Sequence, residues 1–282
     1  MSDGGNGVDE RLDAAWGTRT LTYQGSMPKG VFIKPVSAVG GFFAMSLDTF
    51  VAIFTPPFAW RELVNQTWFV ARVSLAPTLL LSIPFTAFIV FILNILLLEL
   101  GAGDGAGATA SVATVSQIGP IVTVLVVAGA GATAMCADLG ARTIREELDA
   151  MRVMGLNPIQ SLVVPRVLAA TLVALMLNAL VILVGLAGSF VLSVYIQHVT
   201  PGAFVAGMTV LVGLPDVIQG MIKALLFGMA ASLIACYKGI TVGGGPQGVG
   251  NAVNETVIYA FMALFAINVI ATQIGLSVVG AI

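Results

Sequence analysis

Residues 167–215 read VLAATLVALMLNALVILVGLAGSFVLSVYIQHVTPGAFVAGMTVLVGLP, with no Asp, Glu, Lys or Arg among them. As one helix at 1.5 Å per residue, this stretch would reach about 73 Å. A bilayer's hydrocarbon core is only ~30 Å thick and takes roughly 20 apolar residues to cross. The chain must therefore break, and QHVTPG, Gln197 to Gly202, supplies the break. What remains is a crossing over 167–196 and a short apolar segment, Ala203 to Leu214, lying outside the bilayer or half-buried in it.

Three more uncharged stretches follow the same logic: Val73 to Leu98, Gly105 to Ala137 and Thr256 to Ile282. A fifth crossing, about 217–237, contains Lys223 and is hidden from a count of charges. The fold class expected is all-α and integral to the membrane, with spans near 73–98, 112–137, 167–196, 217–237 and 256–280. Composition agrees: of 282 residues, 58% are hydrophobic and only 9% charged, with a mean hydropathy of +1.01. A net charge of −2 argues against a nucleic-acid partner held through phosphates. Cys136 and Cys236 stand far apart in apolar runs and read as small buried hydrophobes.

Five crossings put the termini on opposite sides, and the cations choose which. With the N-terminus in the cytoplasm, Arg61, Arg72, Arg142, Arg145, Arg152, Arg166 and Lys238 all fall inside, and the outer loops hold none. The expected orientation is N-in, C-out. Residues 1–35 are polar and Gly-rich, without a signal-like apolar core, and read as a flexible cytoplasmic tail. From about 39 to 72, Phe and Trp mix with a few charges around Pro56-Pro57, which fits helices in the membrane interface; a tilted entry into the first span is the alternative. No internal repeat and no second folded domain is visible, so 36–282 reads as one domain.

Seven charged side chains crowd into DLGARTIREELDAMRVM, from Asp138 to Arg152, in a chain with only 12 Lys or Arg and 14 Asp or Glu. A cytoplasmic helix over 139–154 fits: Asp138 as N-cap, Arg142–Glu146 and Arg145–Asp149 as i,i+4 pairs, and Gly155 as the stop before Leu156-Asn157-Pro158. It is either a solvated loop helix or a docking helix for a soluble partner. Lys223 shares a helix face with Asp216. It either snorkels or pairs with Asp216 near the outer interface, or meets a lipid head group or a partner subunit. Small residues at Gly129, Gly131, Ala132, Gly185, Ala187, Gly188 and Ser189 permit close helix approach, within the chain or between subunits.

Several motifs fail on context. GGGPQG, Gly243 to Gly248, fits GxGxxG by letters but has neither a preceding strand nor the Lys of a phosphate loop. GAGD, Gly101 to Asp104, matches an intramembrane aspartyl protease motif, but that chemistry needs two carboxylates sharing a proton, and Asp138 is expected at the opposite face. His198 is the only histidine and has no recognisable nucleophile beside it.

REELDAMRVMGLNPIQSLVVPRVLAA, Arg145 to Ala170, resembles the signature of the MlaE/YrbE permease family: paired acids before Asp-Ala, then Met-Gly-x-x-Pro and Val-Pro-Arg. GGGPQGVGNAVNE, Gly243 to Glu255, resembles that family's cytoplasmic loop before the last span, and the likeness runs from about Val39 to Ile282. The wording is most similar to the YrbE subunits, B-type, encoded beside Mce proteins in actinobacteria such as mycobacteria. SQIGP, Ser116 to Pro120, and GAGA, Gly129 to Ala132, depart from the family's Arg-Glu-Leu-Gly-Pro and Gly-Arg-x-Gly.

The resemblance implies a permease subunit of an ABC transporter that moves lipids, fatty acids, sterols or phospholipids, with import suggested in actinobacteria. It implies a coupling helix carrying Arg142, Arg145, Glu146, Glu147, Asp149, Ala150, Met154, Gly155 and Pro158, with Pro165 and Arg166 at the membrane entry of the third span. Arg166 reads equally as a plain interfacial anchor. The expected partners are a second YrbE-type permease, an ABC ATPase dimer, outer-side Mce proteins and the lipid. This chain itself would hold no cofactor, ATP and Mg belonging to the ATPase, and no metal or catalytic site. A non-transporting scaffold subunit and an intramembrane protease are the competing readings.

Overall fold

The computed structural model describes residues 33–56 and 59–279, so most of the expected tail lies outside the described residues. The chain divides into two units, Met1–Gly41 and Phe42–Ile282. Of the first, only the opening turns of α1 (Ile33–Ile53) are described. The second holds the rest of α1, then α2 (Trp60–Glu99), α3 (Ala106–Ile144), α4 (Glu147–Val153), α5 (Ile159–Ile196), α6 (Pro201–Met208), α7 (Leu214–Ile240) and α8 (Gly245–Val279).

Among the described residues, five helices, α2, α3, α5, α7 and α8, are long and apolar enough to cross a membrane. They match the five expected crossings. Helix α3 is the most enclosed, with 61% of its most apolar window buried, against 22% for α2 and 11% for α8. Helix α5 packs along α2 on one side and α7 on the other, while α8 leans on α7 and α3.

Helix α2 shows why these sequences assemble in lipid. Its buried residues are Gln66, Val70, Ser74, Thr78, Ser82, Thr86, Val90 and Asn94, one at every fourth position. Leu80, Ile83, Phe88 and Ile92 point outward and are exposed. This inverts the pattern of a water-soluble helix. In hydrocarbon no solvent drives large apolar groups inward, so small residues line the seam where backbones approach. The seam hydroxyl of Thr78 returns its hydrogen to the Ser74 carbonyl at 2.7 Å.

The predicted small-residue positions sort into two groups. Gly131 faces Ser74 and Val70 of α2, and a Cβ at Gly185 would lie 2.7 Å from Thr114 of α3. Ala132 and Ser189 are also buried, whereas Gly129 and Gly188 have open space beside them and Ala187 is exposed. Cys136 and Cys236 are buried and free, as read from the sequence.

Element ends differ from expectation. The region 39–72 contributes the end of α1 and the first turns of α2, which runs unbroken from Trp60 rather than starting near Val73. The expected loop Gly243–Glu255 is mostly the beginning of α8. Arg72, Asp138 and Glu255 sit inside helices because a helix overhanging the bilayer carries its charges in water or pairs them, as Lys238 and Glu255 do at 2.6 Å. The break at QHVTPG stands: the chain leaves helix at Gln197, His198 takes φ +57°, and α6 begins at Pro201.

Candidate functional site at the α3–α4–α5 end

The expected single helix over 139–154 is two. Helix α3 runs through Asp138 to Ile144, Glu146 takes a left-handed backbone (φ +60°, ψ +17°), and α4 follows. Asp138 therefore caps nothing. The turn at Glu146 also reorients the charges, so neither predicted i,i+4 pair forms. Instead Arg145 Nε meets Glu147 Oε1 at 2.9 Å, Arg152 Nη1 donates to Asp149 Oδ1 at 2.8 Å, and Arg142 Nε lies 3.5 Å from Asp138 Oδ2. Every cation of this segment has an acid, and of its acids only Glu146 lacks an ion pair among the described residues.

Gly155 stops α4 as predicted. Its φ of +78° suits glycine. The Leu156 N–H donates to the Met151 carbonyl at 2.9 Å and the Gly155 N–H to Arg152 at 3.0 Å, a Schellman closure. Asn157 Oδ1 then accepts the Ile159 N–H at 3.0 Å, starting α5 behind the buried Pro158. A π turn over Ile159–Val163 precedes Pro165, which has no N–H to give the helical ladder.

Two faces of α4 have opposite surroundings. Leu148 is buried, and with Met151 it belongs to an apolar cluster that also holds Met45 of α1, Leu139 of α3, Leu162 and Val163 of α5, and Leu233 of α7. Beyond it, Val153 is 90% exposed, Met154 68% and Leu156 50%. Ala150 is exposed beside them. The Gln160 side chain donates to the Thr55 carbonyl at 2.9 Å, tying the end of α1 to the start of α5.

Arg166 is not an interfacial anchor: its side chain is fully buried. Nη2 donates to Asp138 Oδ2 at 2.5 Å and Nη1 to the Leu162 carbonyl at 2.9 Å. Sequence reasoning missed this pair, as it missed Val153 and Leu156. The only signal was opposite charges at the facing ends of consecutive crossings.

Lys223 and Asp216 are not brought together. Asp216 Oδ2 accepts the Gly213 N–H at 2.9 Å and so caps its own helix. Lys223, only 2% exposed, donates to Thr272 Oγ1 of α8 at 2.9 Å. It does not snorkel. The two-carboxylate reading also fails on placement, since Asp104 lies in the turn before α3 and Asp138 near its far end. The glycines of GGGPQG open α8, with φ +81° at Gly244 and +72° at Gly245, and no strand precedes them among the described residues. Nor do the described residues group His, Cys, Asp or Glu as metal ligands.

A probable ABC transporter permease protein of Synechocystis sp. is 33% identical over 168 residues, 60% of this chain and 64% of that one. Another, of Rickettsia typhi, is 27% identical over 243 residues, 86% of this chain and 93% of the relative. The intermembrane phospholipid transport system permease protein MlaE of Haemophilus influenzae is 27% identical over 181 residues, 64% and 69% of the two chains. The family model described as Permease MlaE matches residues 63–274, which takes in α4, the Asp138–Arg166 pair, helices α3, α5 and α7, and most of α2 and α8. On that match, this multi-pass membrane chain belongs to the MlaE permease family, the non-catalytic membrane subunits of ABC transporters.

Proposed function

We propose that the chain moves lipid for an ABC transporter and takes its drive from a cytoplasmic ATPase that docks on α4. The carrying observation is α4 itself: a short helix set off by a left-handed residue, plugged into the bundle by Leu148 and ending in an exposed apolar tip. Apolar residues 90% and 68% exposed, directly after the charged Asp149–Arg152 pair, are what an apolar socket in a soluble partner would cover. The charges, all but Glu146 already paired within the chain, set register rather than strength.

Lipid is supported by the phospholipid transport named for the Haemophilus relative and by outer helix faces rich in Leu, Ile and Phe. The cation distribution supports N-in, C-out, with α4 in the cytoplasm. Resemblance to B-type YrbE subunits supports pairing with a second permease, Mce proteins on the outer side, and import. Lys223 serves to hold α8, the least enclosed span, against α7, and a lipid or subunit contact there would require α8 to swing away.

The test is a Val153→Asp, Met154→Asp protein purified with its ATPase. Docking through the tip predicts that ATPase association and lipid transfer fall together while the membrane domain stays monodisperse; a complex that still holds the ATPase at full strength rules this docking surface out. Mass spectrometry of the wild-type complex would identify the lipid and the partner chains.

A further inference from the structure

Helix α4 reaches the bundle by three routes of different stiffness. Backward, it joins α3 through the two-residue turn Arg145-Glu146, with Glu146 left-handed, so a push on α4 arrives first at α3. Forward, it joins α5 through residues 154–158, of which the first four are exposed. Sideways, it shares an apolar cluster with Leu162 and Val163 of α5 through Leu148 and Met151, a packing with no directional preference.

The directional link is elsewhere. Asp138, inside α3 and one turn before Arg142, receives Arg166 Nη2 at 2.5 Å, while Arg166 Nη1 holds the Leu162 carbonyl in the π turn that opens α5. Charge-assisted hydrogen bonds constrain angle as well as distance. The fully buried Arg166 side chain has no water with which to replace its acid. Any displacement of the α3 end therefore either carries the start of α5 with it or pulls the half-buried Asp138 carboxylate away and leaves the buried Arg166 guanidinium without its acid. Helix α5 in turn packs along both α2 and α7, so whatever moves it moves most of the bundle.

We infer that Asp138 and Arg166 are positioning residues that convert motion of α4 into motion of the third span. Without them, the ATPase docks and turns over while transport stalls. The inference rests on α4 being the docking helix.

The test uses the full complex in liposomes, with an NBD-labelled phospholipid as probe, reading ATPase co-purification, ATP turnover and lipid moved per ATP. The Asp138→Leu, Arg166→Met double variant replaces the ion pair by apolar side chains, an exchange buried pairs commonly survive. The expected result is normal co-purification, ATP turnover within about twofold, and roughly a tenfold or greater loss of lipid per ATP. Arg166→Lys, which keeps the charge, should recover most of that ratio, a rescue that a merely structural role would not tie to lipid per ATP. Should the double variant not accumulate, Asp138→Asn keeps the shape and removes the charge, and a severalfold drop in the ratio is expected. A wild-type ratio in either variant overturns the inference, and so does loss of ATPase binding in the double variant. Failure of the docking reading would show separately, as an ATPase that stays bound to the Val153→Asp, Met154→Asp protein.

Discussion

Two short helices flank α3, α6 near its beginning and α4 beyond its end, and they have opposite characters. Helix α6, eight residues without a charge, lies flat: Phe204 is fully buried, its ring edge-on to Phe190 at 5.5 Å, and its backbone comes so close to Gly107 of α3 that a Cβ there would lie 2.0 Å from the Phe204 carbonyl oxygen. Helix α4, seven residues with three charges, buries one leucine and leaves its tip in the open. Similar length thus gives a plug at one end and, on the proposed reading, a lever at the other. What decides between them is whether the apolar residues face the bundle or point away from it.

The contrast can be broken from either side. The largest effect is expected at the plug. Gly107→Leu must drive α3 and α6 apart, costing about 3 kcal/mol or more and appearing as poor yield and a lowered melting temperature in detergent. At the lever, Val153→Asp with Met154→Asp should weaken ATPase binding at least tenfold, about 1.4 kcal/mol, with no change in melting temperature; a stability loss like that at Gly107 would mean the tip is structural. Asn94 of α2 donates to Ser193 Oγ at 2.8 Å and Gln197 Oε1 at 2.6 Å, bracing the joint that leads to α6. Asn94→Leu should cost roughly 1–2 kcal/mol of stability and leave ATPase binding alone. The smallest effect is at the hinge, where Glu146→Gly relieves a left-handed non-glycine residue and should stabilise by under about 1 kcal/mol; a destabilised protein would show that the Glu146 side chain has a contact worth more than the strain.

The crossings were legible because an apolar run long enough for a bilayer has few other uses, and the Gln197–Gly202 break was legible because Pro and Gly punctuate locally. Charge partners were not. Asp138 reads as an N-cap by its neighbours, yet an arginine 28 residues later claims it. Asp216 reads as the partner of Lys223, yet the N–H of Gly213, at the cap of its own helix, takes it and Thr272 on another helix takes the lysine. In both cases the local rule was sound and a distant residue, brought near by packing, competed better. Helix ends failed for a related reason: nothing in Trp60–Arg72 or Gly245–Glu255 tells a helix where the bilayer stops. The proposed docking site was half visible, its segment marked by charge and its exposed tip hidden among ordinary valines and methionines.

The every-fourth-residue seam of α2 sets what this chain can tolerate. Its inner face is governed by bulk, so an added methyl there is more disruptive than an added hydroxyl. Its outer face is governed by solubility in oil, and any shape that dissolves will serve. Such a protein can drift far in lettering while its skeleton stays put, provided the narrow side of each helix stays narrow.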